Sequence, residues 1–225
     1  MEVFYRTHNY LIEHISESLV RRDLMDEIDW NDRLIAIKGG RGTGKTDFLL
    51  NYAKELRVKN PSLAKHTLYI NLSDFYFTEH TLVELAAEFV AGGGQLLLVD
   101  QAYKYPNWSR ELSQCYYRYP DLHIVFTATA VMRVVEDNKD IGHIVHPYNL
   151  RGFSFREYLK GFTNEKQIIE VDKTTSPLSD ALSADLKKRG MKFVGSTIIY
   201  SYLQAIGVIS SHEEECFMYK GRKFK

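Results

Sequence analysis

The chain has 225 residues, of which 44% are hydrophobic, and its 29 basic and 29 acidic residues give a formal net charge of zero. This composition predicts a globular protein with a core of its own and excludes an intrinsically disordered chain. Because the longest apolar runs are far shorter than the roughly 20 residues of a membrane span, and the first residues lack a secretory signal, we expect a cytoplasmic protein without a membrane partner. The two cysteines, Cys115 and Cys216, exclude a disulfide framework.

Apolar residues at helical spacing predict a first helix over residues 9–22, and RLIAIK at 33–38 predicts a short buried strand. A helix at 46–57 follows, and Thr78 is the expected N-cap of a later helix that ends at residue 91. Further strands are predicted at 67–72, 95–99, 123–129 and 146–150, with another helix at 107–119. Alternating helices and apolar strands predict an α/β fold, with a largely parallel sheet covered on both faces.

The pattern changes near residue 160. Residues 160–175 have no clear period and are predicted to form a connector. Ser176 and Pro177 are typical of the cap and first turn of a helix, which we expect to end at Gly190. A second helix is predicted at 197–207, so the tail should be all-helical, with a tight glycine-containing hairpin between its two helices.

The segment GGRGTGKT at 39–46 has the spacing of a phosphate-binding loop between a strand and a helix. Backbone N–H groups of such a loop turn inward around phosphates, toward the positive end of the following helix. Lys45 would span the β and γ phosphates, and the Thr46 hydroxyl would bind Mg²⁺. The alternative is an ordinary glycine turn. The candidate nucleotide-binding residues are Gly39, Gly40, Arg41, Gly42, Thr43, Gly44, Lys45, Thr46 and Asp47.

Asp100 supports the phosphate-binding interpretation. Four apolar residues, LLLV, carry this aspartate to the carboxyl end of a predicted strand, where it can join the Mg²⁺ shell. The next residue is Gln101, an amide that can orient a water molecule but cannot take its proton as a carboxylate can.

Three segments, RLIAIKGGRGTGKTDFLL, LLLVDQAYKYPNWSRELSQCYYRYPDLHIVFTATA and NLRGFSFREYL, resemble the AAA-type ATPase core of a bacterial and archaeal family. The resemblance covers residues 1–159 and implies a P-loop NTPase fold that binds ATP and Mg²⁺. In that family an Asp-Glu pair ends the third of these strands, a small polar sensor residue follows the next strand, and an arginine precedes a GLSFREYL-like segment.

The chain departs from this family pattern at three positions. Gln101 replaces the glutamate, Thr129 most nearly fills the sensor position, and His143 lies where an arginine is expected. Arg133, Arg151 or Arg156, from the same or a neighbouring subunit of a homo-oligomer, are alternative sources of the cation. With Lys45, Asp100, Gln101 and Thr129 as the candidate catalytic residues, we expect Mg·ATP to bind and to be hydrolysed slowly.

Residues 174–221, with a weaker match from residue 154, are closely similar to the C-terminal part of DNA-3-methyladenine glycosylase I. The tail has a helix, the hairpin RGMKFVG and a second helix whose free N–H groups could hold a DNA phosphate. Expected DNA-binding residues are Arg189, Lys192, Ser196 and Thr197. The catalytic N-terminal half of the glycosylases has no counterpart here, so we do not expect base excision. A solvated basic face without a DNA partner is the alternative.

Glycosylases of this family also bind zinc near their two termini. The C-terminal ligand pair would correspond to His212 and Cys216, but the N-terminal ligands have no counterpart, so we expect no structural zinc. The sequence thus predicts an ATP-binding domain at 1–159 and a glycosylase-like fragment at 160–225. Two other interpretations stay open: a protein related to the glycosylases in DNA binding or repair, and a truncated or artificial fusion without a coherent activity.

Overall fold

The computed structural model describes residues 1–15, 20–154, 157, 168–170, 173–206 and 208–211. The chain divides into two compact units, Met1–Phe153 and Ser154–Lys225. The sequence-based boundary after residue 159 stays a prediction. No helix among the described residues is long and apolar enough to span a bilayer.

The described part of the first unit alternates helices and strands. The helices are α1 (Glu2–His14), α2 (Leu24–Glu27), α3 (Lys45–Lys59), α4 (Pro61–Lys65), α5 (Leu82–Ala91) and α6 (Trp108–Arg118). The strands are β1 (Leu34–Gly39), β2 (Thr67–Asn71), β3 (Leu96–Asp100), β4 (His123–Thr129) and β5 (His146–Asn149). Short 3₁₀ turns lie at Phe75–Thr78 and Ala102–Lys104.

Within the described residues these five strands form one parallel sheet in the order β2-β3-β4-β1-β5, which confirms the predicted α/β fold. Parallel strands place all their carboxyl ends at one edge of the sheet, where ligand sites of such folds lie. Gly39 of β1 is in register with Thr129 of β4, and Asp100 of β3 with Asn71 of β2. The sheet therefore brings the predicted site residues to the same edge.

Successive strand residues point to opposite faces of the sheet, and each face has its own apolar core. In β1, Leu34 and Ala36 pack in the cluster that includes α5 and α6, whereas Ile35 and Ile37 pack with α1, α2 and α3. All four side chains are at most 1% exposed. Burial on both faces explains why the strands are continuous apolar runs in the sequence.

Two helix starts differ from the predictions. The first helix spans Glu2–His14 rather than residues 9–22. The helix expected to start at Thr78 begins at Leu82, because the Thr78 hydroxyl donates to a carbonyl of its own 3₁₀ turn. Thr81 is the actual cap: its hydroxyl accepts from the Glu84 N–H, and the Glu84 carboxylate accepts from the Thr81 N–H. This reciprocal capping box was missed in the sequence.

Helix α1 packs along β2, the outer strand of the sheet, through a buried histidine. Nδ1 of His8 accepts a hydrogen bond of 3.0 Å from the backbone N–H of Tyr69. An outer strand leaves such N–H groups without a ladder partner, and His8 supplies one here. Because the accepting nitrogen must be unprotonated, this contact requires a neutral imidazole.

In the second unit, α7 (Pro177–Lys188) and α8 (Ser196–Ala205) match the two helices predicted for the tail. A two-stranded parallel pair, β6 (Ile168–Ile169) and β7 (Ile209–Ser210), was not predicted, because two-residue strands leave no periodicity in a sequence. The hairpin has its own small core, formed by Ile199, Tyr200, Leu203, Val208 and Ile209 together with apolar residues of α7.

The His8 contact predicts acid-sensitive stability. Burial, assisted by the positive charge of Arg57, lowers the pKa of His8 from 6.5 to about 4. The folded state therefore favours neutral His8, and this contribution is complete above pH 6.5 and is lost as the pH falls from 6.5 toward 4. The loss amounts to about 3 kcal/mol of the free energy of unfolding.

The measurement is chemical denaturation of the wild-type chain and of His8→Gln between pH 7 and pH 4. Glutamine offers an uncharged acceptor to the Tyr69 N–H but does not titrate. We expect the stability of the wild type to fall more steeply with acid than that of the variant. Parallel pH profiles would contradict the assignment of neutral His8 to this contact.

Candidate functional site

The loop between β1 and α3 depends on glycine at three places. Gly42 and Gly44 have φ angles of 79° and 82°, in the left-handed region that side chains disfavour. Gly39 has no room for a side chain, since a Cβ there would lie 2.6 Å from the Leu150 carbonyl oxygen and 2.7 Å from Oγ1 of Thr43. The glycine spacing seen in the sequence is therefore a requirement of the backbone path.

Lys45 is the first residue of α3, and its side chain lies back over the loop. Nζ donates to the carbonyl oxygens of Gly39 at 2.9 Å and Gly40 at 2.7 Å. Burial lowers the pKa of Lys45, and the negative charge of Asp100 opposes that shift. The ammonium group is thus held by two neutral carbonyl oxygens. Negatively charged oxygens of a bound anion can replace them as stronger acceptors.

Asp100 has the most complete set of hydrogen bonds in the site. Its Oδ2 accepts from the Thr46 hydroxyl at 2.6 Å and the Tyr69 hydroxyl at 3.0 Å. Its Oδ1 accepts from the Thr127 hydroxyl at 2.6 Å and the Gln101 N–H at 2.9 Å. Donors from α3, β2, β4 and the residue after β3 therefore converge on one carboxylate, which is only 1% exposed.

Thr46 and Asp100 together suit a hard cation. Mg²⁺ prefers oxygen ligands, and here a hydroxyl oxygen and a carboxylate oxygen are already adjacent at the start of α3. The residues predicted from the sequence to bind Mg²⁺ are therefore neighbours in the structure.

Gln101 leaves the strand in an unusual conformation. Its φ of 55° places it in the left-handed region, which turns the chain away from β3 immediately after Asp100. Its backbone N–H also contacts the Thr127 hydroxyl at 2.8 Å, and its side-chain Oε1 accepts from the Ser73 hydroxyl at 3.2 Å. The backbone N–H of Gln101 therefore lies beside Asp100, and its side-chain amide is held by Ser73, in the turn after β2.

Three further candidate site residues, Thr129, Arg41 and Asp47, lie at or beside the same loop. Thr129 is paired with Gly39, which places the candidate sensor beside the loop, and its N–H contacts the Met132 sulfur at 3.4 Å. Arg41 and Asp47 have exposed side chains at the loop and in the first turn of α3. Both residues lie at the predicted loop, and their contact with a nucleotide stays a prediction.

Arg22 was missed by the sequence analysis. Its guanidinium donates to the Thr43 carbonyl at 3.2 Å and to the Arg151 carbonyl at 2.6 Å, and its carbon lies 4.5 Å from the centre of the Phe153 ring. It thereby ties the phosphate loop to the segment after β5. No sequence pattern pointed to Arg22, because it lies far from any motif in the sequence.

The histidine at the position where an arginine is expected contacts a tyrosine. His143 is hydrogen-bonded to the Tyr117 hydroxyl through Nε2 at 2.8 Å. Arg133 uses its backbone carbonyl, which accepts from the Asp137 N–H and from the Asn138 side chain. Arg156 lies outside the described residues.

Tyr69 and Thr127 were also missed, although they left a weak signal. Each is a polar group within an otherwise apolar buried strand, in TLYIN and HIVFTAT. A polar group in such a strand requires a hydrogen-bond partner, and for both residues the partner is Asp100. The sequence showed that each hydroxyl needs a hydrogen-bond partner, but not that Asp100 is the partner of both.

The candidate DNA-binding residues lie on the helical hairpin of the second unit. Lys192 and Thr197 are exposed, and Arg189 is paired with Asp185 at 2.8 Å. The Ser196 hydroxyl donates to the Asp180 carboxylate, so its side chain is already in use. The N terminus of α8 therefore carries an acidic neighbour that the sequence analysis did not anticipate.

The zinc question falls outside the described part of the chain, because both His212 and Cys216 are among the residues not described. Cys115 is a free thiol in the core of the first unit, where burial raises its pKa to about 12. It is therefore an unreactive structural cysteine.

Two family models match the chain. A model described as AAA domain matches residues 31–159, and a model described as Methyladenine glycosylase matches residues 125–219. The DNA-3-methyladenine glycosylase 1 of Escherichia coli (strain K12) is 45% identical over 71 residues, which are 32% of this chain and 37% of that protein. The DNA-3-methyladenine glycosylase of Haemophilus influenzae is 34% identical over 71 residues, or 29% and 38% of the two chains.

The chain thus spans less than two-fifths of the length of the curated relatives it matches. Among solved structures, C. elegans PCH-2 aligns with a TM-score of 0.45 at 14% identity, over 91% of this chain and 60% of that one. AMPPCP-bound DnaA from Aquifex aeolicus aligns with a TM-score of 0.35 at 15% identity, over 90% and 55%.

The glycosylase resemblance of the C-terminal segment is confirmed, as is the AAA-type resemblance of the preceding residues. The AAA domain match covers more than half of the 225 residues and includes the phosphate loop, Asp100 and Thr129. The chain therefore belongs to the AAA domain family.

Proposed function

We propose that residues 1–159 form a domain that binds Mg·ATP and hydrolyses it slowly. The observation that carries this proposal is the direct contact of Thr46 with Asp100 at the start of α3, beside a glycine-dependent loop. A lysine and a hydroxyl at the N terminus of α3, next to a buried carboxylate at the end of β3, are the groups required to hold a metal-bound triphosphate.

The chain's own residues explain the binding step. The N terminus of α3 presents backbone N–H groups and a partial positive charge to an anion in the loop. Lys45 now donates to two neutral carbonyls, and transfer of these bonds to phosphate oxygens would give stronger, charge-assisted contacts. Thr46 and Asp100 would hold Mg²⁺, whose charge neutralises negative charge on the phosphates when it is bound.

The slow hydrolysis follows from Gln101. Its side-chain carbonyl oxygen accepts from the Ser73 hydroxyl, which leaves the NH₂ group of the amide to position a water molecule by hydrogen bonding. An amide cannot accept a proton from that water, and a positioned general base contributes about 10²- to 10⁴-fold in rate. Nucleotide binding does not require this proton transfer, so the substitution weakens turnover rather than affinity.

Removal of the Lys45 ammonium tests the binding step. We expect Lys45→Ala to raise the Kd for Mg·ATP by about ten- to a hundredfold, as is typical for the loss of a hydrogen bond to a charged group. The measurement is isothermal titration calorimetry with both proteins at the same concentration and salt.

Lys54→Ala is the matched control. It removes the same charge from the same helix, but nine residues further on, about 13 Å along the axis. We expect its Kd to equal that of the wild type. Equal affinities of all three proteins would show that Lys45 does not meet the phosphates, and absence of binding by the wild type would refute the proposed function.

Restoration of a carboxylate at position 101 tests the hydrolytic step. We expect Gln101→Glu to increase steady-state phosphate release by about 10²-fold or more, with little change in the Kd for Mg·ATP. The matched control is Gln95→Glu, the same chemical change on an exposed side chain just before β3, at the opposite end of that strand. An unchanged rate of phosphate release in Gln101→Glu would show that the missing carboxylate at position 101 is not the cause of slow hydrolysis.

A second function, contact with DNA, is favoured by a different observation. The C-terminal segment is similar to DNA-3-methyladenine glycosylases, and its helical hairpin exposes Lys192 and Thr197. We propose that this hairpin contacts the DNA backbone without reading sequence or excising bases. Asp180, next to the N terminus of α8, repels phosphate and makes this contact weak.

Salt-dependent DNA binding tests this second function. We expect Lys192→Ala to weaken binding to duplex DNA and to reduce the slope of log K against log salt by about one phosphate contact. Lys139→Ala removes an exposed lysine of the first unit and should change neither quantity. Fluorescence anisotropy at several salt concentrations measures both, and identical slopes for all three proteins would exclude the hairpin contact.

A further inference from the structure

Tyr69 joins the outer strand of the sheet to the carboxylate of Asp100. It lies in β2, is 4% exposed, and is paired with Leu98 of β3 on one side. On the other side its backbone N–H donates to His8. With its backbone held from both sides, the phenol ring has a fixed position, and its hydroxyl donates to Oδ2 of Asp100 at 3.0 Å.

The two oxygens of Asp100 have different surroundings. Oδ1 faces β4 and the chain after β3, where Thr127 and the Gln101 N–H donate to it. Oδ2 faces α3, where the Thr46 hydroxyl lies 2.6 Å away. Because Thr46 is the hydroxyl expected to bind Mg²⁺, Oδ2 is the oxygen that would face the metal shell.

The donors on Oδ2 are therefore not equivalent. Thr46 belongs to the phosphate loop and its helix, and it must adjust when phosphates and metal enter. Among the described residues, Tyr69 is the donor to Oδ2 that lies outside this loop and helix. Its bond can persist while the contacts of Thr46 rearrange.

Tyr69 acts as the donor in this contact. A carboxylate oxygen accepts hydrogen bonds, so the phenol O–H is the group that points at Oδ2.

We propose that Tyr69 is a positioning residue that fixes Oδ2 of Asp100 in the orientation needed to hold Mg²⁺ beside the nucleotide. This inference rests on the proposed Mg·ATP binding and adds to it a residue outside the phosphate-loop pattern. A purely structural tyrosine would satisfy a buried hydroxyl and influence stability alone.

The test is the coupling between metal and nucleotide, defined as the ratio of the Kd for ATP in EDTA to the Kd in Mg²⁺. Calorimetry on Tyr69→Phe should show this ratio reduced about five- to tenfold relative to the wild type, since a hydrogen bond to a charged group is lost. The Kd in EDTA should stay within about twofold, because the Tyr69 hydroxyl donates to Asp100 and not to a group of the phosphate loop.

Tyr105→Phe is the matched control. It removes another buried tyrosine hydroxyl of the same unit, one that donates to Glu111. Its ratio should equal that of the wild type. Thermal unfolding of all three proteins separates stability from metal coupling, and a Tyr69→Phe protein that is less stable but has an unchanged ratio would overturn the inference.

A second pair of variants keeps the test valid if phenylalanine at position 69 prevents folding. Replacement of Tyr69 by 4-aminophenylalanine retains an N–H donor at the same point, whereas 4-methylphenylalanine retains the shape without a donor. We expect the ratio to be preserved in the first and reduced in the second. Equal ratios in both would overturn the inference.

Failure of the inference can be distinguished from failure of the proposed function. If the wild type binds ATP more tightly with Mg²⁺ and Tyr69→Phe retains the whole effect, Mg·ATP binding stands and the role of Tyr69 is wrong. If the wild type binds no nucleotide, the proposed function fails and the inference fails with it.

Discussion

The buried carboxylate of Asp100 organises the edge of the sheet at which the glycine-containing loop lies. A charge that is 1% exposed requires hydrogen-bond donors, and here they come from α3, from two neighbouring strands and from the backbone of Gln101. The strand order β2-β3-β4-β1-β5 makes this possible, because it places β3 between the strands that carry Tyr69 and Thr127. The phosphate loop then meets the carboxylate through Thr46, so fold and site depend on the same set of contacts.

The sequence predicted most of the fold and the part of the site that a motif marks. The strand at 123–129 has the predicted bounds, because buried parallel strands are apolar runs with clear ends. The glycines at 42 and 44 have the positive φ angles that the loop requires. These features depend on residues that are close together along the chain, so the sequence is sufficient to predict them.

The contacts that the sequence did not reveal are between residues distant along the chain. Tyr69 and Asp100 are 31 positions apart, and Arg22 and Arg151 are 129 apart. Only the assembled sheet brings them together. The cap of α5 was misplaced for a different reason: Thr78 and Thr81 are both good caps, and the 3₁₀ turn at Phe75–Thr78 decides between them.

The fold also clarifies the two overlapping similarities. Residues 125–159 match both family models, yet β4 and β5, which lie almost wholly within that range, pair with β1 in the parallel sheet of the first unit. The hairpin of α7 and α8 has a separate core of its own.

The central claim is most directly tested by a crystal structure with Mg²⁺ and a non-hydrolysable ATP analogue. We predict that Nζ of Lys45 leaves the carbonyls of Gly39 and Gly40 for the phosphates, with Mg²⁺ between Thr46 and Asp100. The account would be contradicted if the loop held no nucleotide at a saturating concentration of the analogue and Lys45 still donated to the two carbonyls.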